Sequence, residues 1–144
     1  AIVEAFVGLG MLLGTATVYK IGHRFNHGAL FLLGLFIDGT SFCLYYFVET
    51  MSQLNFLSCI HGIGIPFLII SRVSIMQKNI PEKLLGRIFA IISVSILSMT
   101  AVSSGIIGFL AEFISIHEIF LLFGLLAGLC GIAGLLHPKI RYLN

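Results

Sequence analysis

Five almost unbroken apolar stretches, each long enough to cross a bilayer, divide this 144-residue chain, and only short polar turns separate them. The hydrocarbon layer is about 30 Å thick and a helix rises about 1.5 Å per residue, so roughly 20 apolar residues make one crossing. On that measure residues 2–21, 28–47, 54–76, 84–113 and 118–136 are the expected spans. The fourth is longer than one crossing needs, which places its first turns, around Gly86 and Arg87, at the interface. With 58% hydrophobic residues, 10% charged ones and a mean hydropathy of +1.10, the chain has too little polar surface to wrap a water-soluble core. The expected fold class is an all-α membrane protein with five transmembrane helices, and its first partner is the lipid bilayer.

The charges sort by side. Lys20 and Arg24 occupy the first turn, Arg72, Lys78, Lys83 and Arg87 surround the third, and Lys139 and Arg141 follow the last span. The remaining two turns carry only acids: Glu49 in one, Glu112 and Glu118 in the other. If successive helices alternate in direction, all eight basic residues share one face. Basic residues concentrate on the cytoplasmic side of membrane proteins, which puts the N-terminus outside and the C-terminus inside, in a multi-pass protein of the cell inner (plasma) membrane. The chain begins at Ala1, at the edge of an apolar run, without an initiator Met or a cleavable leader, and it has an odd number of spans. These features lead us to expect a fragment of a larger protein. Cys43, Cys59 and Cys130 all fall within spans at no ligand spacing, so they are expected to pack as small apolar residues.

Polar residues inside the spans need a partner. An ionised Asp near the middle of a crossing costs about 2.5 to 3.5 kcal/mol on insertion scales. Asp38 is such a residue, and it follows Gly34 and precedes Ser41 and Tyr45 at helical spacing, forming one polar, small-residue face. Two roles stay open: a protonatable carboxylate in a proton or cation pathway, or a hydrogen-bonded group pinning two helices. His61 is expected at a matching depth, within about 4 Å of Asp38 along the membrane normal, and an imidazole beside a carboxylate can shuttle protons near neutral pH. A purely structural histidine is the competing role.

The third span also contains Asn55, Ser58, Gly62 and Pro66 on roughly one face, with a bend expected at the proline because it removes a backbone donor. This face either borders a cavity or packs. Gly10 with Gly14, and Ala101 with Gly105, have the four-residue spacing that lets helix backbones approach, so both pairs are expected at helix contacts. Ser93 and Thr100 either line a pathway or bond their own helix.

Enzymatic and nucleic-acid functions have no footing. Asp38 is the chain's single aspartate, there is no HExxH, no phosphate-cradling glycine loop after a strand and no recognisable serine–base spacing, and no metal or cofactor site is expected. The basic residues are dispersed over membrane turns without aromatic interleaving, which argues against nucleic acid.

The order of motifs resembles a known family. The first turn, TATVYKIGHRF, resembles the signature loop of the major facilitator superfamily, with Lys20, Gly22 and Arg24 at matching positions; Tyr19 stands where that family has an Asp, and Thr15 where it has its leading Gly. The stretch SRVSIMQKNIPEKLLGRIFAI resembles the loop between the tenth and eleventh helices of macrolide-efflux and siderophore-export members, with Gln77, then Pro81, then Gly86 and Arg87 opening the next helix. SSGIIGFLAEF resembles the glycine-rich outer end of their eleventh helix. The resemblance implies that the spans correspond to helices eight to twelve of a secondary transporter whose two six-helix halves rock around a midplane site. It further implies a missing N-terminal half, a small amphipathic substrate such as a drug or siderophore, proton-coupled efflux, and no activity for this piece alone. In that family the ninth helix, where Asp38 would fall, is peripheral. The implied gating role of the cytoplasmic loops makes Arg24 a candidate, beside simple topology control by anionic lipid. A non-transporting small helical subunit, or a truncated pseudo-transporter, is the alternative.

Overall fold

The computed structural model describes residues 1–137, which form five α-helices joined by turns: α1 (Ile2–Ile21), α2 (His27–Tyr45), α3 (Met51–Asn79), α4 (Glu82–Leu110) and α5 (Ile116–Leu136). No strand occurs among the described residues. All five helices are long and apolar enough to cross a membrane. Lys139 and Arg141 lie outside the described residues.

Local chemistry sets where several helices start. α3 begins at Met51 rather than near residue 54 because Thr50 is a full capping box: its hydroxyl accepts from the Gln53 N–H at 3.3 Å, and the Gln53 side chain accepts from the Thr50 N–H at 3.1 Å. Ser115 and Glu118 repeat the device at α5, so that helix opens at Ile116 rather than at Glu118. Pro81 precedes α4, where its missing N–H costs nothing. α3 continues through Pro66 without interruption.

Packing then divides the helices. α3 is central, with α1 along one flank and α2 along another, and α2 in turn packs on α5. Glycines make these approaches possible. A Cβ at Gly10 or Gly14 would run into the carbonyl oxygens of Cys59 and Ile63, and one at Gly62 into that of Val7, so α1 and α3 touch backbone to backbone. Between α2 and α5, a Cβ on Gly39 would stand 2.5 Å from the Gly128 nitrogen. Where α1, α2 and α3 converge, Val18, Leu30 and Phe67 form a small buried core.

α4 differs. None of its residues is buried, and only sparse contacts tie it to the others. The expected contact at Ala101 and Gly105 finds no partner among the described residues, since a Cβ on Gly105 would meet nothing within 4 Å. A small-residue pair produces a contact only when another helix presents a surface to it.

The two ends of the bundle carry opposite chemistry. At one end the α1–α2 turn and the end of α3 enclose a cleft of about 450 Å³ that brings His23, Arg24, His27 and Lys78 together. At the other, the turns before α3 and α5 bring Glu49, His117 and Glu118 around a cleft of about 400 Å³.

Candidate functional site

The polar face of α2 is turned onto α3. Gly34 lets the two helices close up, as a Cβ there would lie 2.8 Å from the Phe67 Cβ. Toward the end of α2, Ser41 is buried and donates to the Ile37 carbonyl at 2.7 Å, and the Tyr45 hydroxyl shares a 3.0 Å hydrogen bond with the Ser58 hydroxyl of α3. Between Gly34 and Ser41, Asp38 Oδ1 approaches His61 Nδ1 to 2.8 Å. Their side chains are only 20% and 19% exposed. The oxygen sits away from the line of the ring N–H, so the contact is an ion-pair approach rather than a well-directed hydrogen bond. With the imidazole protonated the two groups form a salt bridge, and with it neutral the carboxylate must find another cation or a proton.

Aromatic rings wall the pair. Phe42, one turn beyond Asp38, presents its ring edge to His61 with centroids 5.1 Å apart, and it stacks on Phe120 of α5 at 5.8 Å. Tyr45 closes the group, 5.3 Å from Phe120. On its other side Asp38 borders a cleft of about 420 Å³ between α2, α4 and α5, lined also by Phe42, Ser103, Ile107, Phe120 and Phe123.

The remaining candidates are dispersed. Asn55 lines a separate cleft of about 560 Å³ between α1 and α3, and its Oδ1 is buried without a hydrogen-bond partner. Gly62 is taken up in the α1–α3 seam, and Pro66 is buried. Ser93 and Thr100 are exposed on α4, where the Thr100 hydroxyl donates to its own helix at Ile96 (2.8 Å). Of the loop residues, Gly22 and Arg24 line the basic cleft, with Arg24 Nε donating to His23 Nε2 at 3.3 Å. Lys20, Gly86 and Arg87 are exposed. Arg72, near the end of α3, is half-buried, and its Nε has no partner among the described residues.

Three contributors were not singled out from sequence: Phe42, Phe120 and Ser103. Phe42 was within reach, because it follows Asp38 by one helical turn and so shares its face. Phe120 and Ser103 carry no such mark, since nothing local to α5 or α4 says which helix lies opposite. No cluster of three or more metal-ligating side chains occurs among the described residues.

No curated protein and no solved structure gives a significant match to the chain. A family profile does: that of the Major Facilitator Superfamily matches residues 1–141. Five apolar helices, an ionisable pair held between two of them and a match over nearly the full length agree, and the chain is an all-α, multi-pass membrane protein of the Major Facilitator Superfamily, a family of transporters.

Proposed function

We propose that this chain forms helices eight to twelve of a proton-coupled exporter of small amphipathic molecules, of the macrolide-efflux or siderophore-export kind, in the plasma membrane. In this reading the basic end of the bundle faces the cytoplasm and the acidic end faces out. Asp38 and His61 carry the proton. The observation that supports this most is their 2.8 Å approach across α2 and α3, four-fifths buried, in the middle of two apolar crossings. Groups at that depth are costly, and a carboxylate facing an imidazole offers two sites between which a proton can be held or passed while the surrounding helices shift. Arg24 and Lys78, gathered at the basic end, act on the closing of the cytoplasmic side.

Transport also needs the first half of the pathway, so the 144-residue chain by itself is inactive. The alternative of a non-transporting subunit is not favoured by membership of a transporter family. The test is proteoliposome transport by the chain together with the seven preceding helices, driven by an imposed proton gradient. Asp38→Asn and His61→Ala should each abolish gradient-driven export while leaving passive equilibration of the substrate. Unchanged gradient-driven export in both variants would remove this pair from coupling, and saturable uptake by the chain alone would refute its inactivity.

A further inference from the structure

We infer that the basic cleft between the α1–α2 turn and the end of α3 is a binding site for a phosphate monoester, a group carried either by a soluble molecule or by a lipid headgroup. His23, Arg24 and His27 come to it from the turn and the start of α2, Lys78 comes from α3, and no acidic residue lines it. Neither Arg24 nor Lys78 has an ion-pair partner among the described residues. The preference of basic residues for one face of a membrane accounts for their presence at this end, but not for this convergence. Lys20, Lys83 and Arg87 share that preference and stay exposed, outside the cleft. Like charges gathered without an acid repel one another, and an anion between them removes the repulsion.

Charge and geometry select the anion. Arg24 and Lys78 are both positive at neutral pH, and a phosphate monoester carries about 1.5 to 2 negative charges there, so the two sides balance. A carboxylate, a sulfate ester or a phosphodiester carries a single charge and leaves one cation uncompensated. Arg24 Nε donates to His23 Nε2 at 3.3 Å, and its two terminal amines make no hydrogen bond among the described residues. That pair of amines matches two oxygens of one phosphate. Asn26 leads into α2 without its side chain capping the first turn, so the backbone N–H groups there add the partial positive charge of a helix start to that of the side chains. The cleft, at about 450 Å³, also has room for the group that carries the phosphate, with Phe25 as an apolar wall. The site requires neither a direction of transport nor a proton pathway, and so goes beyond the function proposed above.

The experiment uses the full chain in nanodiscs and has two arms. In the first, phosphatidylcholine nanodiscs are titrated calorimetrically with phenyl phosphate, and with phenyl sulfate, of the same shape but one charge fewer, as the control. In the second, native mass spectrometry counts the lipids retained by the chain from phosphatidylcholine nanodiscs doped with phosphatidic acid, a monoester, or with phosphatidylglycerol, a diester. The monoester should bind saturably in at least one arm, and its control more weakly. Arg24→Gln and Lys78→Gln should each weaken that binding about tenfold. Arg24→Lys and Lys78→Arg should recover part of it, while Lys83→Gln, at the same end but outside the cleft, should bind like wild type. Binding that depends on Arg24 and Lys78 upholds the site, and the arm in which it occurs identifies a soluble ester or a headgroup as the source. The inference fails if neither monoester binds saturably, or if the monoanionic controls bind as tightly. It fails equally if Arg24→Gln and Lys78→Gln bind like wild type, or if Lys83→Gln costs as much as they do, which would reduce the effect to general surface charge.

Discussion

α3 and α4 are the same length, 29 residues each, and both are apolar enough to span a membrane, yet they end up in opposite environments. α3 buries Ser58, Gly62, Gly64, Pro66, Phe67, Ser71 and Met76 between its neighbours, whereas α4 buries nothing. Small residues do not explain the difference, because α4 has Gly105 and Gly108 at positions where a side chain would meet only open space. Hydropathy decides that a helix enters the bilayer. Whether it packs there depends on a facing helix that brings matching backbone close enough for dispersion and interhelical hydrogen bonds, since lipid supplies little hydrophobic drive between helices.

The strongest test of this contrast is a matched pair of substitutions. Gly39→Leu places a side chain against the backbone of α5 at Gly128 and should cost about 2–3 kcal/mol, or prevent folding, because backbone cannot move aside as a flexible side chain can. Gly105→Leu should stay within about 0.5 kcal/mol of wild type by the same steric-trapping measurement in micelles. An equal loss at Gly105 would mean that α4 packs inside this chain and the contrast would collapse.

A smaller effect is expected where two polar groups, rather than backbones, join the packed helices. A double-mutant cycle on Asp38→Asn and His61→Ala should return a coupling of about 1.5 kcal/mol, near the top of the range for interhelical polar pairs in membranes. A coupling indistinguishable from zero would reduce the 2.8 Å approach to mere proximity. The least effect should come from Tyr45→Phe, which removes the hydroxyl donated to Ser58 but leaves in place the 2.7 Å bond that Ser58 itself donates to the Leu54 carbonyl. About 0.6 kcal/mol is expected there, read in the same assay. A loss well above 1 kcal/mol would show that the Tyr45–Ser58 anchor, and not the glycine seam, sets the spacing of α2 and α3.

The sequence was legible where the signal is local. Each run of apolar residues long enough to cross marks a helix, and the four-residue spacing of Gly10 and Gly14 points to a contact that α3 provides. The capping boxes at Thr50 and Ser115 were also written locally, and they move the starts of α3 and α5 earlier than hydropathy alone suggests. Asp38 and His61 stood out because charge at that depth demands a partner. The identical logic misled at Ala101 and Gly105, where spacing is local but the partner is not. Phe120 and Ser103 were illegible for the same reason: their importance comes from standing beside Asp38, and that adjacency belongs to the arrangement of helices.

Residue order alone determined that this chain belongs in hydrocarbon, crosses it five times and concentrates its basic residues in alternate turns, because transfer energy and helix length act on consecutive residues. Only the tertiary structure decided that α2 meets α3 and α5, that α4 stands apart, and that one carboxylate touches a histidine while bordering an aromatic cleft. Contacts between helices depend on which surfaces fit across space, and in a bilayer, where every helix is equally greasy, fit is what remains to choose among them.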